Sequence, residues 1–251
     1  MSRFDRAVGL VRSLAIYHGI PLRQRRLRRL YAQLVGPGDL VFDIGAHAGS
    51  RARAFAALGC RVVAVEPQPD FAWLLRRLFT GRPQVEVVES AVSDTVGRAS
   101  LSISERTPTV TTLAAPWRAS RALEPEFARV RWNRRLEIQT TTMDALIERC
   151  GLPRFVKIDV EGAEPAVLAG LTRAVPALSF EYLPRALDHV EACLARLAAL
   201  GSYRYNWSAG ETHRFGAPTW LTAKELLGGL PVAGPAPRPG DVYARLAEYN
   251  E

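Results

Sequence analysis

The chain has 251 residues, of which 48% are hydrophobic and 23% charged, and it carries a formal net charge of +8. This length and composition are ordinary for one large soluble domain, or a domain with a small appendage, whose core needs no disulfides. The three cysteines lack metal-binding spacing and no apolar run is long enough to span a bilayer, so we expect a cytoplasmic protein without metal site or membrane span.

The first 38 residues place apolar and basic positions at helical spacing and end in Gly-Pro-Gly, which predicts an N-terminal helical cap. Five arginines cluster there: Arg23, Arg25, Arg26, Arg28 and Arg29. One interpretation is an acidic partner, such as nucleic acid, a phosphorylated substrate or a membrane surface. The other is a solvated helix face, which we favour. No aromatic residues alternate with these arginines as single-strand stacking requires, so nucleic acid is an unlikely partner.

The stretch 40–49 reads as a buried strand, a tight turn at Gly45 and a helix that begins near Gly49. This is the first unit of an open parallel α/β sheet, at whose carboxyl edge cofactors bind. A dinucleotide would need a glycine at position 47, where this chain has His47, and Asp43 would repel its diphosphate. A cationic ligand with an amino-acid tail suits this loop better. S-adenosylmethionine is a ligand of that kind.

Further strands are predicted in an order that alternates with helices, at 61–66, 85–89, 136–140, 155–159, 177–181 and 203–207. The alternation is interrupted by a segment rich in Thr, Pro and Arg, which we predict to be an inserted loop at 105–135. A loop of that length in a compact domain is usually functional or flexible. The predicted division of the chain is a helical cap at 1–38, a cofactor-binding domain at 39–207 and a C-terminal extension at 208–251.

Three predicted strands end in acids, namely Glu66, Asp159 and Glu181. The carboxyl ends of parallel strands meet at one edge, so these acids are expected near the glycine turn. Glu66 follows Gly45 by 21 positions, close to the spacing of about 20 at which an acid accepts hydrogen bonds from ribose hydroxyls. Any one such acid is at least as often a helix cap or a surface charge, but their order along the chain favours a site.

Four segments together resemble the FkbM family of S-adenosylmethionine-dependent methyltransferases. They are Val-Phe-Asp-Ile-Gly-Ala-His-Ala-Gly at 41–49, Val-Ala-Val-Glu-Pro-Gln-Pro at 63–69, Ala-Val-Ser-Asp at 91–94 and Val-Lys-Ile-Asp-Val-Glu-Gly-Ala-Glu at 156–164. The resemblance implies a Rossmann-like class I methyltransferase fold, with a mostly parallel seven-stranded sheet and helices on both faces. It also implies S-adenosylmethionine as cofactor and, usually, O-methylation of small molecules or glycans.

The resemblance also assigns roles to individual positions. The residues it implies for cofactor binding are Asp43, Gly45, Ala46, His47, Gly49, Glu66, Pro67, Ser90, Ala91 and Asp159. Glu66 would bind the ribose hydroxyls and the loop after Ser90 would flank the adenine, while Asp159 and Glu161 would lie beside the methyl group. The family usually has Asn where this chain has His47. The imidazole can still donate a hydrogen bond, and a role in proton transfer is the less favoured alternative.

An alkyl hydroxyl barely ionises at neutral pH, so a positioned base should assist its methylation. Asp159 and Glu161 are the candidates for catalysis, although Glu161 is equally well explained as a cap of the next helix. Glu181 and His213 are weaker candidates.

The predicted function is transfer of a methyl group from S-adenosylmethionine to a hydroxyl oxygen of a small molecule or saccharide. The alternatives are a nicotinamide-nucleotide-dependent oxidoreductase and a basic nucleic-acid-binding module. The Thr-Pro-Thr-Val-Thr-Thr run at 107–112 either presents hydroxyls to a polar acceptor or forms an ordinary hairpin. The sequence gives no indication of an oligomeric state.

Overall fold

A computed structural model describes residues 12–13, 23–124, 127–232 and 237–248. The strands in this part are β1 (Leu40–Ile44), β2 (Arg61–Val65), β3 (Val85–Val88), β4 (Ala91–Val92), β5 (Gly97–Ile103), β6 (Arg134–Thr141), β7 (Phe155–Ile158), β8 (Ala177–Tyr182), β9 (Tyr203–Ala209) and β10 (Gly240–Leu246). The α-helices are α1 (Arg23–Tyr31), α2 (Ser50–Ala57), α3 (Pro69–Leu78), α4 (Ala115–Arg121), α5 (Met143–Cys150), α6 (Glu164–Ala169), α7 (Leu187–Leu200) and α8 (Ala223–Gly229). Each of these helices is too short or too polar to cross a bilayer.

Seven strands form the main sheet in the order β3-β2-β1-β7-β8-β10-β9. All neighbours are parallel except at β10, which runs antiparallel to both β8 and β9. This confirms the predicted mostly parallel seven-stranded sheet. β10 belongs to the segment 208–251, which we predicted to be an extension. It lies inside the sheet rather than beyond it, because the edge of β8 would otherwise expose its backbone groups.

The central strands β1, β7 and β8 are buried on both faces, as expected for a parallel sheet covered by helices. Phe42 of β1 belongs to the apolar core on one face and Phe155 of β7 to the core on the other, and both are fully buried. Burying each such side chain contributes about 1.5–3 kcal/mol. Lys157 departs from this pattern, since it is charged and fully buried in the middle of β7.

The inserted segment 105–135 is partly ordered structure rather than a plain loop. It contains a 3-10 helix, Pro108–Val110, and the helix α4, where Pro116 lies in the first turn and needs no N–H partner. The segment connects β5 to β6, which pair in a small second sheet of order β4-β6-β5. Residues 125–126 of the predicted loop lie outside the described residues.

Of the predicted N-terminal cap, the structure describes α1 and the turn after it, whereas 1–11 and 14–22 lie outside the described residues. α1 packs its apolar face on α2: Tyr31 contacts Phe55 with ring centroids 4.3 Å apart. Its other face carries the arginines. The side chain of Gln24 donates to the backbone carbonyl of Ser50 at 3.0 Å, which ties the start of α1 to the start of α2.

Candidate active site

A crevice of about 810 Å³, partly open to solvent, lies at the carboxyl ends of β1, β2 and β7. The predicted site residues that line it are Gly45, Ala46, His47, Glu66, Pro67, Ser90, Ala91, Asp159 and Glu161. Asp43 and Gly49, also predicted for the cofactor, lie behind the wall rather than in it. The strand ends and the glycine turn thus meet at one place.

Gly45 allows two turns of the sheet to approach each other. It has a φ of 80°, and a Cβ atom at this position would lie 1.9 Å from the backbone oxygen of Asp159. No side chain fits there. The glycine therefore brings the turn after β1 against the turn after β7, so that both line the crevice.

Gly49, which does not line the crevice, packs against α3. Its φ is 76°, and a Cβ would lie 2.8 Å from Cδ2 of Leu75 on α3. The residue precedes α2 and lets that helix pack closely on α3. Its contribution to the site is therefore indirect, through the position of α2.

Glu66 is an anchored acid in the crevice wall, 3% exposed. One carboxylate oxygen accepts from the backbone N–H of His47 at 2.9 Å and the other from that of Gln68 at 2.8 Å. Burial raises its pKa to about 7 despite these two hydrogen bonds. Each carboxylate oxygen has a further acceptor site. The group is thus held in position to accept from two neighbouring hydroxyls.

Asp43 is 1% exposed, and in the described part of the chain neither of its oxygens makes a hydrogen bond of standard geometry. Burial raises its pKa to about 6, and the positive charges of Arg51 and Lys157 oppose this rise. The backbone N–H of Ala52 gives this buried carboxylate only a weak hydrogen bond, and burying a charge with so little hydrogen bonding is costly. A cation in the adjoining crevice would reduce that cost.

His47 shapes the loop through its backbone. It has a φ of 47°, rare for a residue with a side chain but several-fold commoner for Asn and His than for most. The imidazole stacks on Phe71 with centroids 4.1 Å apart. Burial lowers its pKa to about 4, so the ring is neutral at neutral pH. This favours the positioning role over proton transfer.

Asp159 is held by cations. Its Oδ2 lies 3.5 Å from Nζ of Lys157 and 3.7 Å from a guanidinium nitrogen of Arg51. Burial alone would raise its pKa, but Lys157 and Arg51 outweigh burial and lower it. Nζ of Lys157 also donates to Asp241 at 2.9 Å. Asp159 is therefore a carboxylate at neutral pH.

Glu161 has the opposite environment. It has a φ of 53°, and its backbone oxygen accepts from the hydroxyl of Thr112 at 2.7 Å. Burial and then the negative charges of Asp159 and Glu164 raise its pKa well above the ordinary value. Glu164 fixes the same loop, since its carboxylate accepts from the backbone N–H of Val160 at 3.1 Å, and Ala163 precedes α6 without a side-chain cap.

Glu181 joins these acids. One carboxylate oxygen from each of Asp159, Glu161 and Glu181 lies within 4.8 Å of the others. Burial, followed by the charge of Glu161, raises the pKa of Glu181 as well. Oxygen atoms at this spacing suit a divalent cation or the hydroxyls of a polar ligand. His213 does not join them, since it lies in a separate groove beside Glu211.

The structure adds site residues that we did not predict. Ser90, which we predicted near the adenine, uses its hydroxyl proton within the protein, where the backbone carbonyls of Gln139 and Ala91 lie 3.0 and 3.1 Å from its Oγ. Additional lining residues include Arg51, Gln68, Leu101, Pro108, Thr109, Thr111, Thr112 and Leu113. Four of these belong to the threonine run at 107–112, which one of the two interpretations above assigned to a polar acceptor. Nothing in the sequence distinguishes Arg51 from the other arginines, so its place in the site could not be predicted.

The sheet order, the glycine turn and the anchored acid after β2 define a class I S-adenosylmethionine-dependent methyltransferase. Anchored acids and a glycine that permits close approach are features that fit this cofactor. The chain matches the Methyltransferase FkbM domain over residues 43–199. It therefore belongs to the FkbM methyltransferase family, which confirms the resemblance.

One relative is the 2-O-methyltransferase NoeI of Sinorhizobium fredii, 27% identical over 165 residues. The match covers 62% of this chain and 66% of NoeI, just under two thirds of the relative. Among solved structures, the O-methyltransferase from Bacillus cereus in complex with SAH is similar with a TM-score of 0.47 and 14% identity, over 95% of this chain and 90% of that one. Precorrin-6y C5,15-methyltransferase from Geobacter metallireducens is similar with a TM-score of 0.46 and 12% identity, over 90% of this chain and 87% of that one.

Proposed function

We propose that this protein transfers the methyl group of S-adenosylmethionine to a hydroxyl oxygen of a small molecule or saccharide. The observation that carries the proposal is the opposed ionisation of two acids in one crevice. Asp159 is kept ionised by Lys157 and Arg51, whereas the pKa of Glu161 is raised. Neighbouring acids whose pKa values are pushed apart typically have different catalytic roles. The similarity to the 2-O-methyltransferase NoeI supports oxygen as the acceptor atom.

The anchored acids would bind the cofactor. Glu66 would accept hydrogen bonds from the ribose hydroxyls, and the carboxylates of Asp43 and Asp159 would balance the positive charge nearby. S-adenosylmethionine, when bound, supplies an electrophilic methyl group on a sulfonium. The protein must then hold the acceptor oxygen in line with that carbon and exclude water.

Glu161 is the proposed general base. Its ionised carboxylate would take the proton of the acceptor hydroxyl while that oxygen forms its bond to the methyl carbon. A base with a raised pKa is better matched to a weakly acidic hydroxyl than an ordinary carboxylate. The hydrogen bond from Thr112 to its backbone carbonyl and the left-handed backbone hold Glu161 in the wall of the crevice.

The test is a methyl-transfer screen with labelled cofactor against hydroxylated metabolites and saccharides. With an acceptor identified, we expect Glu161→Gln to lower kcat by about 10²–10⁴-fold, the usual contribution of a general base, while cofactor affinity stays unchanged. Glu191→Gln, an exposed change of the same type on α7, is the matched control. Wild-type kcat in Glu161→Gln would contradict the assignment. Cofactor binding without labelling of any hydroxyl acceptor would contradict the proposed reaction.

A further inference from the structure

A second groove lies between α1 and the segment 213–218, away from the crevice. Arg25, Arg26 and Arg29 of α1 line it, together with Arg214 from the opposite wall. It encloses about 1,210 Å³, part of it open to solvent, which is more than the crevice does. The groove and the crevice share no lining residue, so the proposed methyl transfer does not involve the groove.

In the described part of the chain, the four arginines that line the groove are not ion-paired, and Glu211, the carboxylate beside it, contacts Arg23 and His213 instead. α1 has five arginines and no acid, and like charges three or four positions apart destabilise a helix by about 0.2–0.5 kcal/mol per pair. Arg25, Arg26, Arg29 and Arg214 form no ion pair with any described carboxylate. Helix stability would therefore increase if an anion bound there.

The wall opposite α1 is held rigidly. Asn206 of β9 donates to the backbone carbonyl of Ala217 at 2.9 Å and accepts from its N–H at 3.1 Å. The ring of Phe215 packs edge-on against Trp220 and Tyr243, with centroids 5.3 and 5.2 Å apart. At the start of α1, Arg23 pairs with Glu211 at 2.6 Å, so the two walls are joined at one end. The guanidiniums thus stand over a preformed groove.

We propose that this groove binds a ligand that carries a phosphate or diphosphate group. Guanidinium forks match phosphate oxygens with paired, charge-assisted hydrogen bonds, and several around one site suit a multiply charged anion. Leu30, Phe215 and Pro218 would contact an apolar part of the same ligand. Among the described lining residues, the ring of Phe215 already packs on Trp220 and that of His213 lies against Glu211, so the groove lacks the free stacking surface that single-stranded nucleic acid requires.

Inorganic pyrophosphate is the probe, titrated calorimetrically into the full chain at low and moderate salt. We expect it to bind, with an affinity that falls as salt rises. The triple variant Arg25→Gln/Arg26→Gln/Arg29→Gln should weaken binding at least tenfold, which corresponds to about 1.4 kcal/mol. The matched control is Arg61→Gln/Arg82→Gln/Arg98→Gln, which removes the same charge from exposed positions elsewhere and should bind as the wild type does.

S-adenosylmethionine affinity, expected to be equal in all three proteins, shows that the variants are folded. Phosphatidylglycerol vesicles and a short single-stranded RNA are further arms. Vesicle binding that needs the three α1 arginines, alongside pyrophosphate binding, would support the proposal and identify a lipid headgroup as the source of the phosphate. The absence of pyrophosphate binding, equal loss in both triple variants, or arginine-dependent binding of RNA alone would each overturn it.

Discussion

Lys157 and Asp241 are 84 residues apart in the chain, yet Nζ of Lys157 donates to Oδ1 of Asp241 at 2.9 Å in the interior of the sheet. The same ammonium lies 3.5 Å from Asp159, so Asp241 acts on the site through the lysine. Burial disfavours the charged lysine, but Asp159 and Asp241 outweigh burial and raise its pKa. Asp241 is on β10, outside the residues 43–199 that match the family.

Removing Asp241 should therefore destabilise the protein as well as disturb the site. We expect Asp241→Ala to lower the free energy of unfolding by about 3–5 kcal/mol, because a buried ammonium loses one partner. Asp241→Asn should cost less, since the amide oxygen still accepts a hydrogen bond. Chemical denaturation measures both. Glu248→Ala, an exposed acid beyond the same strand, is the control. An Asp241→Ala protein as stable as the wild type would show that this buried pair contributes nothing.

Stability should also depend on pH through Glu66. Its pKa is raised from the ordinary 4.5 to about 7 in the folded protein, so the folded state binds more protons than the unfolded state between these values. The resulting stability is fully present below about pH 4.5 and is lost as pH rises through 7. The effect is on the order of 3 kcal/mol. Asp43, with a pKa raised to about 6, changes stability in the same direction.

Thermal or chemical unfolding at a series of pH values between 5 and 8 measures how the free energy of unfolding changes with pH. Glu66→Gln should flatten the pH dependence and also weaken S-adenosylmethionine binding, because a hydrogen bond to a charged group contributes about 1.5–3 kcal/mol. Glu89→Gln, an acid on the surface after the next strand, is the comparison. A pH profile that is identical in Glu66→Gln and wild type would contradict the buried-acid explanation.

The pH dependence of catalysis should identify the base. Because burial and two neighbouring acids raise the pKa of Glu161, we expect kcat to rise with pH along one ionisation placed well above that of an ordinary carboxylate. Asp159→Asn removes one of those acids and should move the ionisation to lower pH. In Glu161→Gln the residual rate should lose this ionisation. Steady-state rates over a pH series with the identified acceptor are the measurement, and an unchanged profile in Glu161→Gln would exclude it as the base.

Most of the sheet could be predicted from sequence because its strands are short apolar runs, and the segments between them have the apolar spacing of helices. The position of β10 could not, since it is antiparallel and follows a segment rich in proline and glycine that interrupts the pattern. The strand-end acids were found because the rule of parallel sheets brings them to one edge. That paired acids at Asp159 and Glu161 raise one pKa also follows from their spacing, but the cations that keep Asp159 ionised could not be predicted, because Arg51 comes from α2 and Lys157 is held by Asp241 of β10.

Gly45 and Gly81 separate two causes of glycine dependence. Both have positive φ, 80° and 75°, so alanine should cost each about 1–2 kcal/mol of backbone strain. A Cβ at Gly81 meets nothing within 4 Å, whereas one at Gly45 would lie 1.9 Å from the oxygen of Asp159. We expect Gly81→Ala to bind S-adenosylmethionine normally and Gly45→Ala to lose stability and binding together, because the two turns must move apart. Equal unfolding free energies and equal cofactor affinities in the two variants would show that the close approach of these turns is not required.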